Sequence, residues 1–574
     1  MLTRPWRTGI AQAARLAVLT ALLAAGAAAA GETPPKAAVA TAHPLATQAA
    51  REILDDGGNA FDAAVAASAA LAVVEPYASG LGGGGFWLLH QADNGQSVMI
   101  DGREEAPGAA GRDMYVDDSG KKIPRLSLDG PMAAGIPGEP AALAHIARRY
   151  GRLPLARSLA PAIRLARDGF PVDATFRRMA GFRKNLLKRF PAARQVFLDQ
   201  GEVPAAGTLL KQPALARTLE TLARKGRAGF YQGRVARLLV DSVREAGGIW
   251  SLDDLKGYRV VEREPVVFDY RGLKVTSAAP PSAGGIGLAT MLHILEGYDL
   301  SALSRPLRIH YVVEAMRRAY RDRARFLGDP DFVDIPRERL TSRAYAKRLR
   351  SNIRPDRATP SEDLPAPQEG HHTTHLSIID TEGNRVAATL SVNYPFGSGF
   401  VAGDTGVVLN DEMDDFAARP GKPNVYGLVG GEPNAIRPGK RPLSSMSPTF
   451  VEDGRRVGIL GTPGGSRIVT MVLLGILSFE NGAPPETWVS LPRYHHQYLP
   501  DVIQHEPGAF SPETASALRE MGYKLKSVGR RYGDMQAILW DRAAGTVQAA
   551  SDPRGQGRAA VFAEKPARKT AAGQ

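Results

Sequence analysis

Cysteine is absent from all 574 residues, which excludes disulfides, thiolate nucleophiles and thiolate metal sites together. Any covalent catalysis must therefore use oxygen or nitrogen. Aromatics are scarce at 7%, and no basic stripe with interleaved aromatics occurs. The net charge of +13 and pI near 9.8 therefore read as a solvated basic surface rather than a nucleic-acid face. Internal repeats are lacking too. Long apolar runs are limited to Leu16 to Ala30, preceded by Arg4, Arg7 and Arg15. At about 15 residues this run falls short of the roughly 20 needed to span a bilayer, so residues 1–30 are predicted to be a signal peptide removed after Ala30. Export without cysteine fits a bacterial periplasmic or secreted protein, with no membrane anchor after cleavage.

What is present suffices for a large core: 44% of residues are hydrophobic and 23% charged. Ala46, Ala49, Ala50, Ile53 and Leu54 recur at helical spacing, and Gly57-Gly58 supplies a stop. Asn59 is placed to cap a second, Ala-rich helix from Ala60 to about Val74, whose small side chains predict burial. Gly80 to Gly85 matches G-x-G-x-x-G, but a helix precedes it and a strand, Phe86 to Leu89, follows. That is the reverse of the dinucleotide-binding context, so the glycines are read as close backbone approach at a strand start. The middle, about 131–350, carries mostly helical patterns with Arg-rich polar faces such as Ile309 to Phe326, read as structural. Residues 352–370 read as an exposed linker, the chain from Thr374 onward as short strands, and 565–574 as a polar tail.

Thr374 to Asp380 and Asn384 to Ser391 both have β character, with Thr381-Glu382-Gly383 between them. A three-residue loop of this kind puts its last residue in the left-handed region, which suits Gly383. Thr373 then faces Ser391, and Asn393 projects from the same face just beyond, so three polar side chains converge at one strand end. A two-residue loop would instead set Val392 opposite Thr373 and turn Ser391 and Asn393 away. His371, His372, His375, His495 and His496 suggest a metal site at first sight. However, the His371-x-x-x-His375 spacing lies in a linker entering a strand rather than on a helix, and no His-Glu-x-x-His occurs. No metal is expected.

Several ordered motifs then carry a resemblance. His372-Thr373-Thr374-His375, Leu409 to Phe416, Lys440 to Thr449 and Pro463 to Arg467 are similar to motifs of γ-glutamyltranspeptidases. So are Gly57 to Ala64, the Gly80 to Phe86 loop, Arg103, Pro280 to Gly285, Gly328 to Phe332, Pro492 to Gln497 and Asp552-Pro553-Arg554. The resemblance extends through most of the mature chain. It implies an α/β (α+β) four-layer αββα sandwich of the N-terminal-nucleophile hydrolase class, made as a precursor that cuts itself between His372 and Thr373. The large piece, 31–372, would weigh about 37 kDa and the small piece, 373–574, about 22 kDa. Elementary chemistry agrees with that cut. A hydroxyl is a poor nucleophile until a base takes its proton, and a freed Thr α-amine is a base with pKa about 8 on the same residue.

The resemblance further implies that Thr373 attacks a γ-glutamyl carbonyl and that Ser391 hydrogen-bonds the Thr373 hydroxyl. Ser391 stands where many relatives have Thr, and His372 where bacterial relatives often have Gln. Gly464 and Gly465 would offer backbone N–H groups to the oxyanion, an arrangement whose plain alternative is a Gly-Gly turn. Arg103 with Ser444 and Ser445 would take the substrate carboxylate, and Asn393, Glu412 and Asp415 its ammonium. The plain alternatives here are a surface salt bridge and a solvated acidic turn. Tyr426, in a Gly-rich segment, would close a lid over the site.

The implied activity is γ-glutamyltransferase and glutathione hydrolase, without a cofactor. Glutathione and other γ-glutamyl compounds would be donors, amino acids or dipeptides acceptors, and the large and small subunits would pair with each other. Two rival readings remain: a glutaryl-preferring acylase of the same superfamily and an uncleaved periplasmic peptide-binding protein.

Overall fold

The computed structural model describes residues 33–361, 373–418, 421–422, 424 and 427–565. Short runs rich in β-branched and small residues form thirteen strands in two large sheets. In chain order they are β1 (Ala37–Thr41), β2 (Gly84–His90), β3 (Ser97–Gly102), β4 (Val261–Arg263), β5 (Val266–Tyr270), β6 (Leu273–Ser277), β7 (Thr374–Ile379), β8 (Arg385–Ser391), β9 (Thr449–Glu452), β10 (Arg456–Gly461), β11 (Gln536–Asp541), β12 (Thr546–Ser551) and β13 (Arg558–Phe562). The first sheet runs β13-β1-β7-β8-β2-β3-β4 and the second β12-β11-β10-β9-β6-β5, each antiparallel throughout.

Side-chain alternation assigns the layers. Trp87, Leu89, Leu376, Ile378, Val386 and Ala388 share a core with helices α1 (Pro44–Asp55) and α2 (Ala60–Val74). Phe86, Leu88, Ile379 and Ala387, on the opposite face, pack with Phe450, Ile459 and Ile538 of the second sheet. That same core takes in helices α3 (Gly284–Leu295), α4 (Arg305–Phe326) and α5 (Ile468–Glu480) beyond the second sheet. The result is the expected αββα sandwich, with two buried apolar layers.

All fifteen residues of α2 are buried, and a capping box closes its start: Asn59 Oδ1 accepts from Phe61 and Asp62 N–H, and Asp62 accepts from Asn59 N–H. Among the described residues no helix is long and apolar enough to cross a membrane.

The middle of the chain is mostly helical, as read, with β4, β5 and β6 as short strands the reading did not separate out. Two readings need correction. The charged face of α4 is not solvated: Glu314, Arg317, Arg318, Asp322 and Arg323 are all buried. The first part of the linker is exposed in places yet tied down. Ala358 N–H donates to Met521 O (2.7 Å), Thr359 N–H to Glu314 (3.1 Å) and Ser361 N–H to Asp501 (2.7 Å). Residues 362–370 lie outside the described residues.

Candidate active site

The hairpin of β7 and β8 has the three-residue loop: Asp380 N–H donates to Asn384 O at 3.1 Å, and Gly383 has φ 93°. The ladder pairs Val386 with Ile378, Thr389 with His375 and Leu390 with Thr374, so the next step sets Ser391 opposite Thr373. Thr373 Oγ1 lies 3.4 Å from Ser391 Oγ. Strand parity puts Thr373 on the same face as His375 and Ser377, the polar seam between the sheets, where Ser377 Oγ donates to Gln536 O (3.1 Å). The seam ends in a cleft of about 310 Å3 that Thr373 helps to line.

Ser391 Oγ accepts the Asn393 N–H (2.8 Å), so its own proton is left to point toward Thr373. Asn393 holds a left-handed φ of 73° that aims its side chain into the cleft, where Nδ2 donates to Asp411 O (2.9 Å). The glycine loop makes this close packing possible. A Cβ on Gly82 would overlap the Val408 carbonyl, one on Gly83 the Ser391 carbonyl and one on Gly85 the Thr389 carbonyl. Close backbone approach, not phosphate binding, is thus the use of these glycines. Asn410 pins the next wall. Its Nδ2 donates to Gly82 O (2.6 Å) and Gly135 O (2.8 Å), while its Oδ1 accepts from Gly135 N–H (2.9 Å) and Glu412 N–H (3.0 Å).

That wall is a single 3-10 turn, Glu412–Asp415, facing Arg103 at the end of β3. Arg103 is 1% exposed, so it is no surface salt bridge. Its Nη1 lies 2.6 Å from Glu412 Oε2 and 3.4 Å from Glu104 Oε2, its Nη2 donates to Asp415 Oδ2 (2.5 Å), and its Nε to Pro442 O (3.3 Å). Burial works against the Arg103 charge, yet Glu412, Asp415 and Glu104 together hold its pKa above the ordinary arginine value. Burial raises all three carboxyls, Glu412 well above the usual range and Glu104 to about 8, while Arg103 pulls them back down.

Ser444 and Ser445 line the same cleft. Ser444 Oγ accepts from Met446 N–H (3.1 Å), whereas Ser445 Oγ is buried with no hydrogen-bond partner. Both Glu412 oxygens and Glu104 Oε1 also lack an aligned hydrogen bond. Such a concentration of unmet polarity around one cleft marks a candidate ligand-binding site.

Gly464 (φ 147°) and Gly465 (φ 55°) lead into α5. Gly465 lines the cleft, and Gly464 lines a second cavity of about 1080 Å3 that also reaches Thr373. His372 and Tyr426 lie outside the described residues. Asn424 Nδ2 donates to Asp415 Oδ1 (3.3 Å), and Leu428 forms part of the cleft wall.

Three histidines are spent on neighbours. His375 bonds Thr389 Oγ1 (2.8 Å) and burial lowers its pKa to about 3; His495 bonds Thr470 (2.8 Å) and Gln497 (2.9 Å); His496 meets Asp501 (3.1 Å).

The sequence reading missed Arg323, which lines the cleft, and Glu104, which pairs with Arg103 beside it. For Arg323 a signal existed: Val312, Met316, Ala319 and Arg323 continue one buried stripe at helical spacing.

The sequence profile of the family described as Gamma-glutamyltranspeptidase matches residues 46–562. The Glutathione hydrolase proenzyme of Escherichia coli (strain K12) is 43% identical over 525 residues, covering 90% of each chain. Among solved structures, the cephalosporin acylase from Bacillus halodurans superposes with TM-score 0.81 at 28% identity, covering 92% of this chain and 96% of its own. The γ-glutamyltranspeptidase of Helicobacter pylori superposes with TM-score 0.54 at 41% identity, covering 55% of this chain and 92% of its own.

Proposed function

The chain belongs to the γ-glutamyltranspeptidase family, and we propose that Thr373 is the nucleophile with which it performs hydrolysis and transfer on γ-glutamyl amides such as glutathione. The observation that carries this reading is the pair of hydroxyls, Thr373 and Ser391, 3.4 Å apart at the edge of a cleft that also holds a buried arginine, two carboxylates and a free serine hydroxyl.

A cut between His372 and Thr373 frees the α-amine of Thr373, giving a large piece, 31–372, and a small piece, 373–574. β1 to β4 come from the first and β7, β8 and β13 from the second, all in one sheet, so cutting leaves the pieces joined. The amine takes the Thr373 hydroxyl proton as Oγ1 attacks the γ-carbonyl carbon. Gly464 and Gly465 N–H groups receive the oxyanion, the C–N bond breaks, and the leaving amine departs with the proton. Water or an acceptor amine, an amino acid or dipeptide, then attacks the ester and regenerates the Thr373 hydroxyl.

Substrate binding is an exchange of partners. The donor carboxylate moves onto Arg103, Ser444 and Ser445, and its ammonium onto Asn393, Glu412 and Asp415, so a zwitterion replaces an internal ion pair. Residues 1–30 direct export to the periplasm or medium.

A glutaryl donor has no ammonium and would strip Arg103 from the acids while leaving them buried and unpaired. The test is therefore turnover of γ-glutamyl-p-nitroanilide against glutaryl-p-nitroanilide, with Thr373→Ala as control. Preference for the γ-glutamyl donor, lost in the variant, is expected. Preference for the glutaryl donor would move the reading to an acylase.

A further inference from the structure

Nine arginines are buried among the described residues, and eight of them have a hydrogen-bond or ion-pair partner for the guanidinium. Arg323 is the exception. It sits on the last turns of α4, 5% exposed, and its Nε is fully buried with no partner. Its acidic neighbour in sequence, Asp322, is spent on Arg321 (2.9 Å) and on the Tyr345 hydroxyl (2.8 Å). Behind Arg323 lies a largely apolar cavity of about 330 Å3 walled by Ile286, Met291, Leu327 and Val469, which offers the guanidinium little. In front lies the donor cleft, which Arg323 lines together with Arg103, Ser444 and Ser445.

We propose that Arg323 is the second cation of the donor cleft and binds the α-carboxylate of the γ-glutamyl group, sharing it with Arg103. This deepens, and rests on, the γ-glutamyl reading of the site. Burying a guanidinium without a hydrogen-bonded partner is costly; among the described residues the nearby Asp415 and Tyr320 offset that cost only through space, and an arriving carboxylate removes it. Arg103 alone is poorly placed for that task, since Glu412, Glu104, Asp415 and Pro442 already take its donors. Arg323 needs no displacement before it accepts an anion. It therefore makes the first contact, and the carboxylate then draws Arg103 away from Glu412 and Asp415, freeing both for the ammonium. The electrostatics agree in direction: burial lowers the Arg323 pKa, Tyr320 and Asp415 oppose it only in part, and Arg103 adds to the lowering, a state that a bound carboxylate relieves. Arg323 also helps to keep Asp415 ionised, which defines the competing role, action on the ammonium through Asp415.

Three small amides separate these roles as inhibitors of γ-glutamyl-p-nitroanilide hydrolysis. L-Glutamine carries both charged groups, the monoamide of glutaric acid only the carboxylate, and 4-aminobutyramide only the ammonium. In Arg323→Met the inhibition constants of the first two are expected to rise roughly tenfold to a hundredfold, and that of 4-aminobutyramide to stay. Arg323→Lys keeps the charge but not the fork, so it should show a smaller loss confined to the same two ligands. If the Met variant does not mature, the Lys variant reads the same selectivity. Losses confined to the two amine-bearing ligands would overturn the proposal in favour of action through Asp415. Equal losses for all three would overturn it in favour of a structural role. A parent enzyme that turns over glutaryl but not γ-glutamyl donors would instead overturn the site reading on which it rests.

Discussion

Two of the buried arginine–carboxylate clusters among the described residues differ in how completely their charges are satisfied. Around Asp552-Pro553-Arg554 the charged groups close on one another, although the neighbouring Ser551 and Tyr532 hydroxyls stay unpartnered. Asp552 Oδ2 takes Arg493 and Met535 N–H (3.0 Å), its Oδ1 takes Arg554 N–H (2.9 Å), and Glu506 takes Tyr532 N–H (2.7 Å) and both Arg554 Nε and Nη2 (2.8 Å each). None of these carboxylate oxygens is left without a partner. Around Arg103 the account stays open: Glu104, Glu412, Ser445 and Arg323 each keep a buried atom unpartnered. The same residue types thus serve two ends. A closed network holds the fold, while an open one keeps binding capacity in reserve.

Substitutions can break that contrast, and the largest effect belongs to neither cluster but to the group the open one serves. Thr373→Ala should abolish chain cutting and lower turnover by about four orders of magnitude or more, with a folded protein by circular dichroism. A variant that still matured would remove Thr373 from the chemistry. Asp552→Ala should leave Arg493 buried without its counter-charge and destabilise by about 3–5 kcal/mol in denaturant unfolding, with the KM of the folded enzyme unchanged. Arg103→Lys, in the open cluster, should do the reverse: KM for γ-glutamyl-p-nitroanilide rises roughly tenfold to a hundredfold with little change in the unfolding midpoint. If Arg103→Lys destabilised as much as Asp552→Ala, the contrast would fall.

The smallest effect is one of pH. Glu139 is fully buried, and burial, opposed only by the Gly80 backbone, raises its carboxyl to about 8. The raised value means that the folded state holds the proton more tightly than the unfolded chain. The stability this contributes is full below about pH 4.5 and is lost as pH rises toward 8. Glu139→Gln should flatten the melting-temperature profile over that interval, and an unchanged slope would contradict the assignment.

Much of this was legible in the sequence because it rests on local chemistry. Gly383 dictated the loop, the loop dictated the register, and the register set Thr373 against Ser391. Asn59 and the alanines of α2 announced a capped, buried helix in the same way. What escaped depends on tertiary packing. Charges along α4 look like a solvated face until β5 and β6, themselves unread, complete a second sheet in the same core. Nor does any spacing show that Arg103 rests on Glu412 and Asp415, since those residues are some three hundred positions apart.

The most direct test of the central claim is intact mass with N-terminal sequencing of the purified mature protein. Two pieces, the smaller beginning Thr373-Thr374-His375, are predicted. A single uncut chain that nonetheless turned over γ-glutamyl-p-nitroanilide would contradict the account, because the base it assigns, the freed amine of Thr373, would not exist.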